Sequence, residues 1–539
     1  MTSVEVPKAG RREWFGLVVL ALPTLMVAFD IFVLLLALPS LATDLGADGN
    51  QQLWIMDIYG FMLAGFLLTM GNLGDRIGRR KLLLIGASAF GLASVLAAFS
   101  TTPEMLIFSR ALLGVAGATL APSTLALISN IFQNPKERAM AIGIWGGTWT
   151  LGAIIGPAVG GLLLANFWWG SVFLLGVPAM ALLLIVGPTL LPEYRNTEAR
   201  RLDLPSVALS MIALLPSIWG IKELARHGWE VLPLGSLLVG LAFAAIFIQR
   251  QRRLADPLLD LRLFGYRGFN TALGGLFIYS FVGGSTMLFM NLYFQLVGGL
   301  STVEAGLAMI PGAIAGTIAF AITPVLAGKI RPAFVIAGGL VGAAVMMLVL
   351  TQVKAEGGTT LLIVGFSIFS FFGVPTVALG TNLVVSAAPP EKGGVVGSLS
   401  QLSNEFGATL GAALLGTVGF AVYRNQVDDK LPADLPDGAA AAAGDSLAGA
   451  AAVLASLPER VAAAVQDVAQ AAFATGLHVV VAINAVLLAG LAVLVATTLK
   501  HIPPFGTSQG PGASGADAPD EELSRPHTTP MVAAEDARD

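Results

Sequence analysis

The chain has 539 residues, of which 55% are hydrophobic and only 12% are charged, and its formal net charge is −4. Because soluble globular proteins carry about 25% charged residues and nucleic-acid-binding proteins carry basic clusters, this composition argues against both classes. The chain contains no cysteine and its four histidines are scattered, so we expect no disulfide, no thiolate chemistry and no metal site.

Apolar runs of spanning length recur along the chain. A bilayer-spanning helix needs about 20 mainly apolar residues. The first run follows Lys8, Arg11 and Arg12, is too long for a signal peptide and contains Asp30, so we interpret it as an uncleaved first span. An all-α membrane protein is predicted, with fourteen spans near 14–38, 53–71, 82–100, 104–128, 139–164, 171–191, 204–222, 231–249, 270–297, 304–327, 333–353, 359–386, 393–423 and 476–498.

The distribution of basic residues between the spans predicts the orientation. Short loops rich in Lys and Arg stay in the cytoplasm. With the N-terminus inside, the basic groups at 76–81, 195–201 and 250–267 all fall in cytoplasmic segments, and few, Lys222 among them, fall outside. We therefore expect an even number of spans with both termini in the cytoplasm.

The spans form two groups of six with two more between them. We expect an N-terminal half at 14–191, two extra helices at 204–249 and a C-terminal half at 270–502, whose long extracellular loop at 424–475 is rich in alanine and helical from Leu457 to Thr475. The remaining segments are predicted to be cytoplasmic: an N-terminus at 1–13, linkers at 192–203 and 250–269, and a disordered tail at 503–539.

The segment between spans two and three reads GNLGDRIGRRK, from Gly71 to Lys81. Its glycines allow a tight reversal, and Asp75 lies beside a helix N-terminus within reach of arginines. Basic residues alone would fit any cytoplasmic loop, but the full spacing resembles the signature loop of the major facilitator superfamily, whose members have two six-helix halves around a midplane site. The resemblance implies a cytoplasmic gate in which Asp75 and Arg79 form the latch, and its residues are Gly71, Asp75, Arg76, Gly78, Arg79 and Arg80.

Span four carries an arginine, Arg110, with small residues such as Gly114 and Gly117 on the same helical face. A charge inside a span costs roughly 2.5–3.5 kcal/mol on insertion scales, so it needs a partner or water. The pattern resembles the intramembrane arginine of the same superfamily, which implies a role in proton coupling. A purely structural ion pair is the alternative.

Span five is rich in glycine, which lets helix backbones approach closely, and its proline bends the helix. The GP-x-x-GG core resembles the antiporter motif of drug exporters. The motif residues are Gly143, Gly152, Gly156, Pro157, Gly160 and Gly161.

The arrangement of six, two and six spans resembles the fourteen-helix drug:proton antiporter subfamily, and in particular its QacA-like quaternary ammonium exporters. The strings DIFVLLLALP at 30–39, QLWIMDIY at 52–59, LPE at 191–193 and PLLDLRLF at 257–264 carry the resemblance over nearly the whole chain. Phe32 and Gly176 depart from it, because the subfamily usually has Thr and Asn there.

Three acidic residues lie inside predicted spans: Asp30, Asp57 and Glu405. The resemblance implies that they couple transport to protons, with Glu in place of the usual Asp at 405. A carboxylate that binds either a proton or a drug cation exchanges one for the other as access alternates. The alternative for each is a structural hydrogen bond, and Asp57 could instead pair with Arg110.

Aromatic rings near these acids could stack on a bound cation, although membrane aromatics more often pack or lie at interfaces. The candidates are Trp149, Tyr59, Trp145 and Tyr293.

These patterns predict a proton-coupled multidrug efflux antiporter in the bacterial inner membrane, not an enzyme, driven by the proton gradient without a cofactor. We expect lipophilic cations, protons and the bilayer as its partners and a monomer as its state. The alternative is an exporter of an endogenous lipid, antibiotic or cell-wall precursor. ATP-driven transport is not expected because no G-x-x-x-x-G-K-[ST] occurs.

Overall fold

The computed structural model describes residues 9–47, 49–195, 203–227, 230–254, 257–355, 357–386, 393–428, 430–431 and 435–505, and their regular structure is helical. The predicted tail at 503–539, the N-terminus at 1–13 and the linkers at 192–203 and 250–269 lie largely or partly outside these residues.

The N-terminal half consists of seven helices that cover the first six predicted spans. Two of them begin at polar caps, because the side chains of Thr102 and Asn134 each accept a hydrogen bond from a backbone N–H of the first turn. The helices are α1 (Arg11–Leu45), α2 (Gly49–Ile77), α3 (Arg79–Ala98), α4 (Pro103–Ile131), α5 (Pro135–Asn166), α6 (Ser171–Leu174) and α7 (Gly176–Leu190).

The next two helices, α8 (Leu204–His227) and α9 (Val231–Gln251), form an antiparallel pair. Arg250 closes the base of the pair, because its Nε and Nη2 each donate to the carboxylate of Asp203 at 2.9 Å. α8 packs against the bundle, whereas only 17% of the apolar stretch of α9 is buried inside the protein. α9 therefore lies outermost and presents most of its surface to lipid.

The C-terminal half covers the last six predicted spans. A π-helical turn at Tyr293–Val297 extends the first of its helices. The helices are α10 (Arg267–Leu292), α11 (Thr302–Ala308), α12 (Ile310–Ala327), α13 (Pro332–Leu350), α14 (Thr359–Ser386), α15 (Gly393–Asp428), α16 (Asp437–Asp445), α17 (Leu447–Val453) and α18 (Glu459–Thr498). A short 3-10 turn precedes α10 at Leu261–Gly265.

The predicted loop at 424–475 is mostly helical. α15 runs on to Asp428, α16 and α17 follow, and α18 already begins at Glu459. The expected helical character of 457–475 is thus confirmed, but this segment is the first part of the last spanning helix and not a separate element. Its alanines favour this continuation because alanine has the highest helix propensity.

The fourteen predicted spans all fall on helical segments, and two of them, 171–191 and 304–327, are each divided between two helices. Thirteen segments of the described residues are long and apolar enough to cross a membrane. The predicted fifth span is α5, which has 32 residues and is not among these thirteen segments. Each half has its own large hydrophobic core, and the halves meet where α2 and α4 face α15 and where α5 faces α12 and α14.

The halves are joined at the end of the bundle where α2 ends and α3 begins, which we call the basic end. There the Ser398 hydroxyl donates to the Leu67 carbonyl at 2.9 Å, and Arg138 donates to the Ser386 hydroxyl at 2.9 Å. Gly143 also lies so close to α12 that a Cβ there would be 2.9 Å from the Phe320 carbonyl oxygen. The two halves are therefore in direct contact at this end.

Candidate functional site

The first charged cluster lies inside the N-terminal half. Arg110 of α4 is 1% exposed and Asp30 of α1 is 6% exposed, and the arginine Nη1 donates to Oδ2 of the carboxylate. Its Nε donates to the Ile55 carbonyl of α2 at 3.2 Å. Arg110 therefore connects α1, α2 and α4, and the carboxylate compensates its buried charge.

Tyr59 joins this cluster from α2. The Arg110 guanidinium carbon lies 4.7 Å from the centroid of its ring. Its hydroxyl is buried and has no hydrogen-bond partner among the described residues. Tyr59 is therefore the aromatic candidate that the structure places among the predicted coupling residues.

The small residues of α4 make this approach of Tyr59 possible. A Cβ at Gly114 would lie 2.4 Å from the Tyr59 carbonyl oxygen, and one at Gly117 would lie 3.1 Å from its hydroxyl. The predicted face of α4, with Arg110 and these glycines, is thus the face that packs against α2.

Asp57 belongs to a second cluster. Its Oδ1 lies 3.0 Å from Nζ of Lys222, which is on α8. The suggested pairing of Asp57 with Arg110 is therefore wrong, and helix geometry explains why. Ile55 and Tyr59 are four residues apart, so they share the face toward Arg110, whereas Asp57 lies between them on the opposite face, toward α8.

Glu405 lies on α15 and faces the same second cluster. It accepts a hydrogen bond from Gln401 at 3.2 Å. With Lys222 and Phe61 it lines a small cleft of about 40 Å³ where α2, α8 and α15 meet. The two clusters lie on opposite faces of α2 at about the same level of the helix, because Asp57 and Tyr59 are two residues apart.

The other aromatic candidates lie elsewhere. Trp145 donates to the Thr124 hydroxyl at 3.1 Å, and both Trp145 and Trp149 pack against the core of the N-terminal half. Tyr293 is 1% exposed in the core of the C-terminal half, where its hydroxyl donates to the Lys354 carbonyl at 2.5 Å. Of the four aromatic candidates, Tyr59 lies against the Asp30–Arg110 pair, whereas these three rings pack elsewhere.

The predicted gate residues lie at the basic end. Asp75 and Arg79 form a buried ion pair, which confirms that Asp75 lies within reach of an arginine. Gly78 separates α2 from α3 with φ of 114°, a conformation that favours glycine. Arg76 donates to the Asn72 side chain at 2.5 Å, and Gly71 is buried in the last turns of α2.

Glu193 also lies at this end, although the sequence alone indicates no role for it. Its carboxylate accepts hydrogen bonds from the backbone N–H groups of Arg80 and Lys81, at 3.1 and 3.2 Å. Arg80 in turn donates to the Leu191 carbonyl at 3.0 Å. The segment after α7 therefore caps the N-terminus of α3. The only sequence signal was the match of Leu191–Glu193 to the subfamily.

The glycines of α5 have different surroundings. Gly143 faces α12, and Gly152 faces α1, where a Cβ would lie 2.5 Å from Cβ of Ala28. Gly161 has open space around it. Gly156 and Gly160 are buried, and the side chain of Pro157 lies outside the described residues. The motif thus holds α5 close to both α1 and the C-terminal half.

Lys222 is the main site residue that the sequence analysis missed. It was counted among the basic residues of the outer loops because it ends a predicted span. The structure places its ammonium beside Asp57 and in the cleft with Glu405. Nothing in the local sequence around α8 indicates these partners.

Long apolar helices in two halves, with buried charges in their interior, are the architecture of a multi-pass membrane protein. The chain belongs to the Major Facilitator Superfamily, whose family model matches residues 20–412.

The chain is similar to known efflux proteins. It is 39% identical to the multidrug efflux pump LfrA of Mycolicibacterium smegmatis over 491 residues, 91% of this chain and 97% of LfrA. It is 35% identical to the methyl viologen resistance protein SmvA of Salmonella typhimurium over 474 residues, 86% and 93% of the two chains. These relatives confirm the resemblance to drug exporters of the superfamily.

A solved structure has the same fold. The crystal structure of the human organic anion transporter MFSD10 matches with a TM-score of 0.56 and 17% identity, covering 89% of this chain and 99% of MFSD10. At this identity the match establishes the fold alone.

Proposed function

We propose that the protein is a proton-coupled multidrug efflux antiporter of the bacterial inner membrane. Its substrates are lipophilic cations such as quaternary ammonium compounds, dyes and antiseptics, and it exports them by alternating access. The observation that carries the proposal is the buried carboxylate of Asp30, engaged by Arg110 beside Tyr59. The relatives support drug efflux, since one is a multidrug efflux pump and another confers resistance to methyl viologen, an organic cation.

Asp30 is the group that binds the coupling proton. In the present state its charge is balanced by Arg110, so protonation of Asp30 breaks the ion pair and leaves the guanidinium without its carboxylate. Arg110 also binds the Ile55 carbonyl and lies against Tyr59, so its reorientation moves α2 relative to α1 and α4. Proton binding is thereby linked to the packing of the N-terminal half.

Glu405 supplies the negative charge on the C-terminal side. It lies on α15, which packs against both α2 and α4. A drug cation that binds between Glu405 and α2 therefore changes the electrostatic environment of the Asp30–Arg110 pair. Drug and proton then compete through neighbouring carboxylates, which is the condition for exchange.

The proton gradient supplies the free energy, with no cofactor. One charge that crosses with a potential of 100 mV releases about 2.3 kcal/mol.

The contacts of Ser398 and Arg138 across the halves close the basic end. If that end is cytoplasmic, as the positive-inside rule predicts, the present state is closed to the cytoplasm. In that state the carboxylates take up protons from outside. A single chain contains all these groups, so the unit is a monomer.

An exporter of an endogenous lipid, antibiotic or cell-wall precursor is the second candidate. An anionic headgroup would need unpaired basic groups at the site. Both basic residues of the two described clusters are paired, Arg110 with Asp30 and Lys222 with Asp57. The charge balance of the site therefore favours a cationic substrate.

The test is ethidium efflux from an exporter-deficient bacterial host that produces the protein. An uncoupler is added while cellular ATP is held constant, and the expected result is complete loss of efflux. Efflux that continues without a proton gradient contradicts the proposal. Competition by a panel of cationic, neutral and anionic compounds then separates the two candidates, because only the cations should slow ethidium efflux.

A further inference from the structure

The outermost helix of the inserted pair changes from apolar to basic at its C-terminal end. Ile246 and Ile248 of α9 are 48% and 40% exposed, on a helix that packs chiefly against α8. Arg252 and Arg253 follow, and both are exposed. At 1.5 Å per residue, Arg252 lies about 6 Å beyond Ile248 along the helix axis. The headgroup layer of a bilayer is about 5–8 Å thick on each side, so these arginines lie at the level of the lipid phosphates.

The loop after α9 returns to the end of that helix. The Leu259 N–H donates to Oε1 of Gln251 at 3.4 Å, and the Asn72 side chain of α2 donates to the Leu258 carbonyl at 3.4 Å. Leu258 is buried in a cluster with Phe247 of α9. These contacts hold the loop at the basic end, so the residues that follow Leu259 stay beside the end of α9.

The returning loop adds two arginines and two aromatic rings. Arg262 and Arg267 are exposed, and Phe264 and Tyr266 are 37% and 43% exposed. Aromatic side chains are enriched where a membrane meets water. Over residues 250–267 the sequence has five arginines against two aspartates, which leaves a formal net charge of +3. The segment between the inserted helices and the C-terminal half is therefore a basic surface with exposed aromatic rings. We call its four exposed arginines, at 252, 253, 262 and 267, the linker arginines.

The linker arginines differ from other arginines of the basic end, which are bound to the protein itself. Arg250 is paired with Asp203, and Arg80 donates to the Leu191 carbonyl at 3.0 Å. Among the linker arginines, Arg262 forms an ion pair at 3.7 Å but is 69% exposed, and exposed pairs are weak. The side chains of the other three form no hydrogen bond or ion pair with a residue that the structure describes. Their guanidinium groups are therefore available to an external anion.

We propose that the linker arginines bind the phosphate group of an anionic phospholipid in the leaflet at the basic end. A guanidinium presents planar donors that match phosphate oxygens, and consecutive arginines offer a headgroup two of them. The exposed rings of Phe264 and Tyr266 supply apolar contact for the adjoining lipid chains. The bound lipid holds this linker, and with it the inserted pair of helices, at the membrane surface. This inference does not rest on the proposed transport function.

The test titrates lipid into the purified full-length protein in detergent. Phosphatidylglycerol, which has one net negative charge, should raise the melting temperature and lower hydrogen exchange in 250–267. Zwitterionic phosphatidylcholine at the same concentrations should have much smaller effects. Salt at about 0.5 M should weaken the response, because it screens exposed charges. An equal response to phosphatidylcholine, or to inorganic phosphate without lipid, would overturn the proposal.

Paired substitutions test the residues. Arg252→Gln combined with Arg253→Gln should raise the phosphatidylglycerol concentration at half-maximal response about 25-fold, a factor of about five for each basic residue at a membrane surface. Arg252→Lys combined with Arg253→Lys should keep most of the affinity, because both charges remain. Arg424→Gln combined with Arg460→Gln is the matched control. It removes two exposed arginines at the opposite end of the bundle and should leave the half-maximal concentration unchanged.

A second pair of substitutions keeps the proposal testable. If the glutamine variant at 252 and 253 does not fold, Arg262→Gln combined with Arg267→Gln replaces it, with the same expected loss. An unchanged half-maximal concentration in the glutamine variant would overturn the proposal, even if its melting temperature without lipid is lower, because the arginines would then act only in folding. The readout is lipid binding and not efflux, so that result would leave the proposed transport function unaffected.

Discussion

Arg110 and Asp30 form an ion pair between α4 and α1 in the interior of the N-terminal half, and both side chains are almost completely buried. Removal of one partner of a buried pair leaves the other charge uncompensated, which costs about 3–5 kcal/mol. The pair therefore responds strongly to protonation of its carboxylate. This relationship is the basis of the first prediction.

Asp30→Asn should abolish ethidium efflux in cells while the protein remains in the membrane. The amide cannot ionise, so the proton-dependent change in its contact with Arg110 is lost. Efflux is followed by the fall of ethidium fluorescence, and membrane content by immunoblot. Asp467→Asn, an exposed carboxylate of α18, is the control and should transport normally. Wild-type efflux by Asp30→Asn would show that Asp30 has only a structural role.

Glu405→Gln should reduce ethidium efflux strongly, because it removes the negative charge on the C-terminal side of the cleft. Glutamine can keep the hydrogen bond with Gln401, so the local fold of α15 should persist. The initial rate of efflux is compared with that of Glu459→Gln, an exposed residue in the first turn of α18. Equal rates in the two variants would exclude Glu405 from cation binding.

Gly152→Ala should lower both transport and thermal stability, whereas Gly161→Ala on the same helix should lower neither. A Cβ at Gly152 would lie 2.5 Å from Cβ of Ala28, so α1 and α5 must separate, while Gly161 has open space. Overpacking of this kind costs about 1–3 kcal/mol. Melting temperatures in detergent and efflux rates check both variants. If both variants lose transport and thermal stability equally, the close contact of α5 with α1 is not the reason that the motif needs glycine.

The pair of inserted helices should loosen in acid. The hydrogen bond from Arg250 holds the pKa of Asp203 below its ordinary value. A carboxyl group whose pKa is lower in the folded state stabilises the fold when the pH is above its unfolded pKa, near 4. This stabilisation is lost as the pH falls through the folded pKa. The protection of the amides in 204–251 against hydrogen exchange, relative to the intrinsic rate at each pH, should therefore fall below about pH 4, and Asp203→Asn should lower this protection at higher pH as well. Unchanged exchange in that variant would show that the ion pair does not hold the base of the hairpin.

Much of the architecture was predictable from the sequence. The fourteen predicted spans fall on helices, and thirteen segments of the described residues are long and apolar enough to cross a membrane, because apolar runs of spanning length are a strong and local signal. The reach of Asp75 to an arginine followed from its place beside a helix N-terminus, and its pairing with Arg79 from the family resemblance. The shared face of Arg110 and its glycines followed from their spacing along α4. These are features in which neighbours in sequence are neighbours in space.

The partners across helices were not predictable in the same way. Asp57 was given the wrong alternative partner, and neither Lys222 nor Glu193 was assigned a role. Each of these contacts depends on how one helix is rotated about its axis and on which distant helix packs against it. α8 reaches Asp57 across 165 positions of sequence, and no local pattern contains that information.

The most direct test of the central claim is proton release on drug binding. Purified wild-type protein in a weakly buffered detergent solution receives ethidium, and the pH is followed with an indicator dye. The account predicts acidification in the wild type, a reduced signal in Asp30→Asn or Glu405→Gln, and none in the double variant. Normal proton release by both single variants, or no release by wild-type protein that binds ethidium, would contradict it.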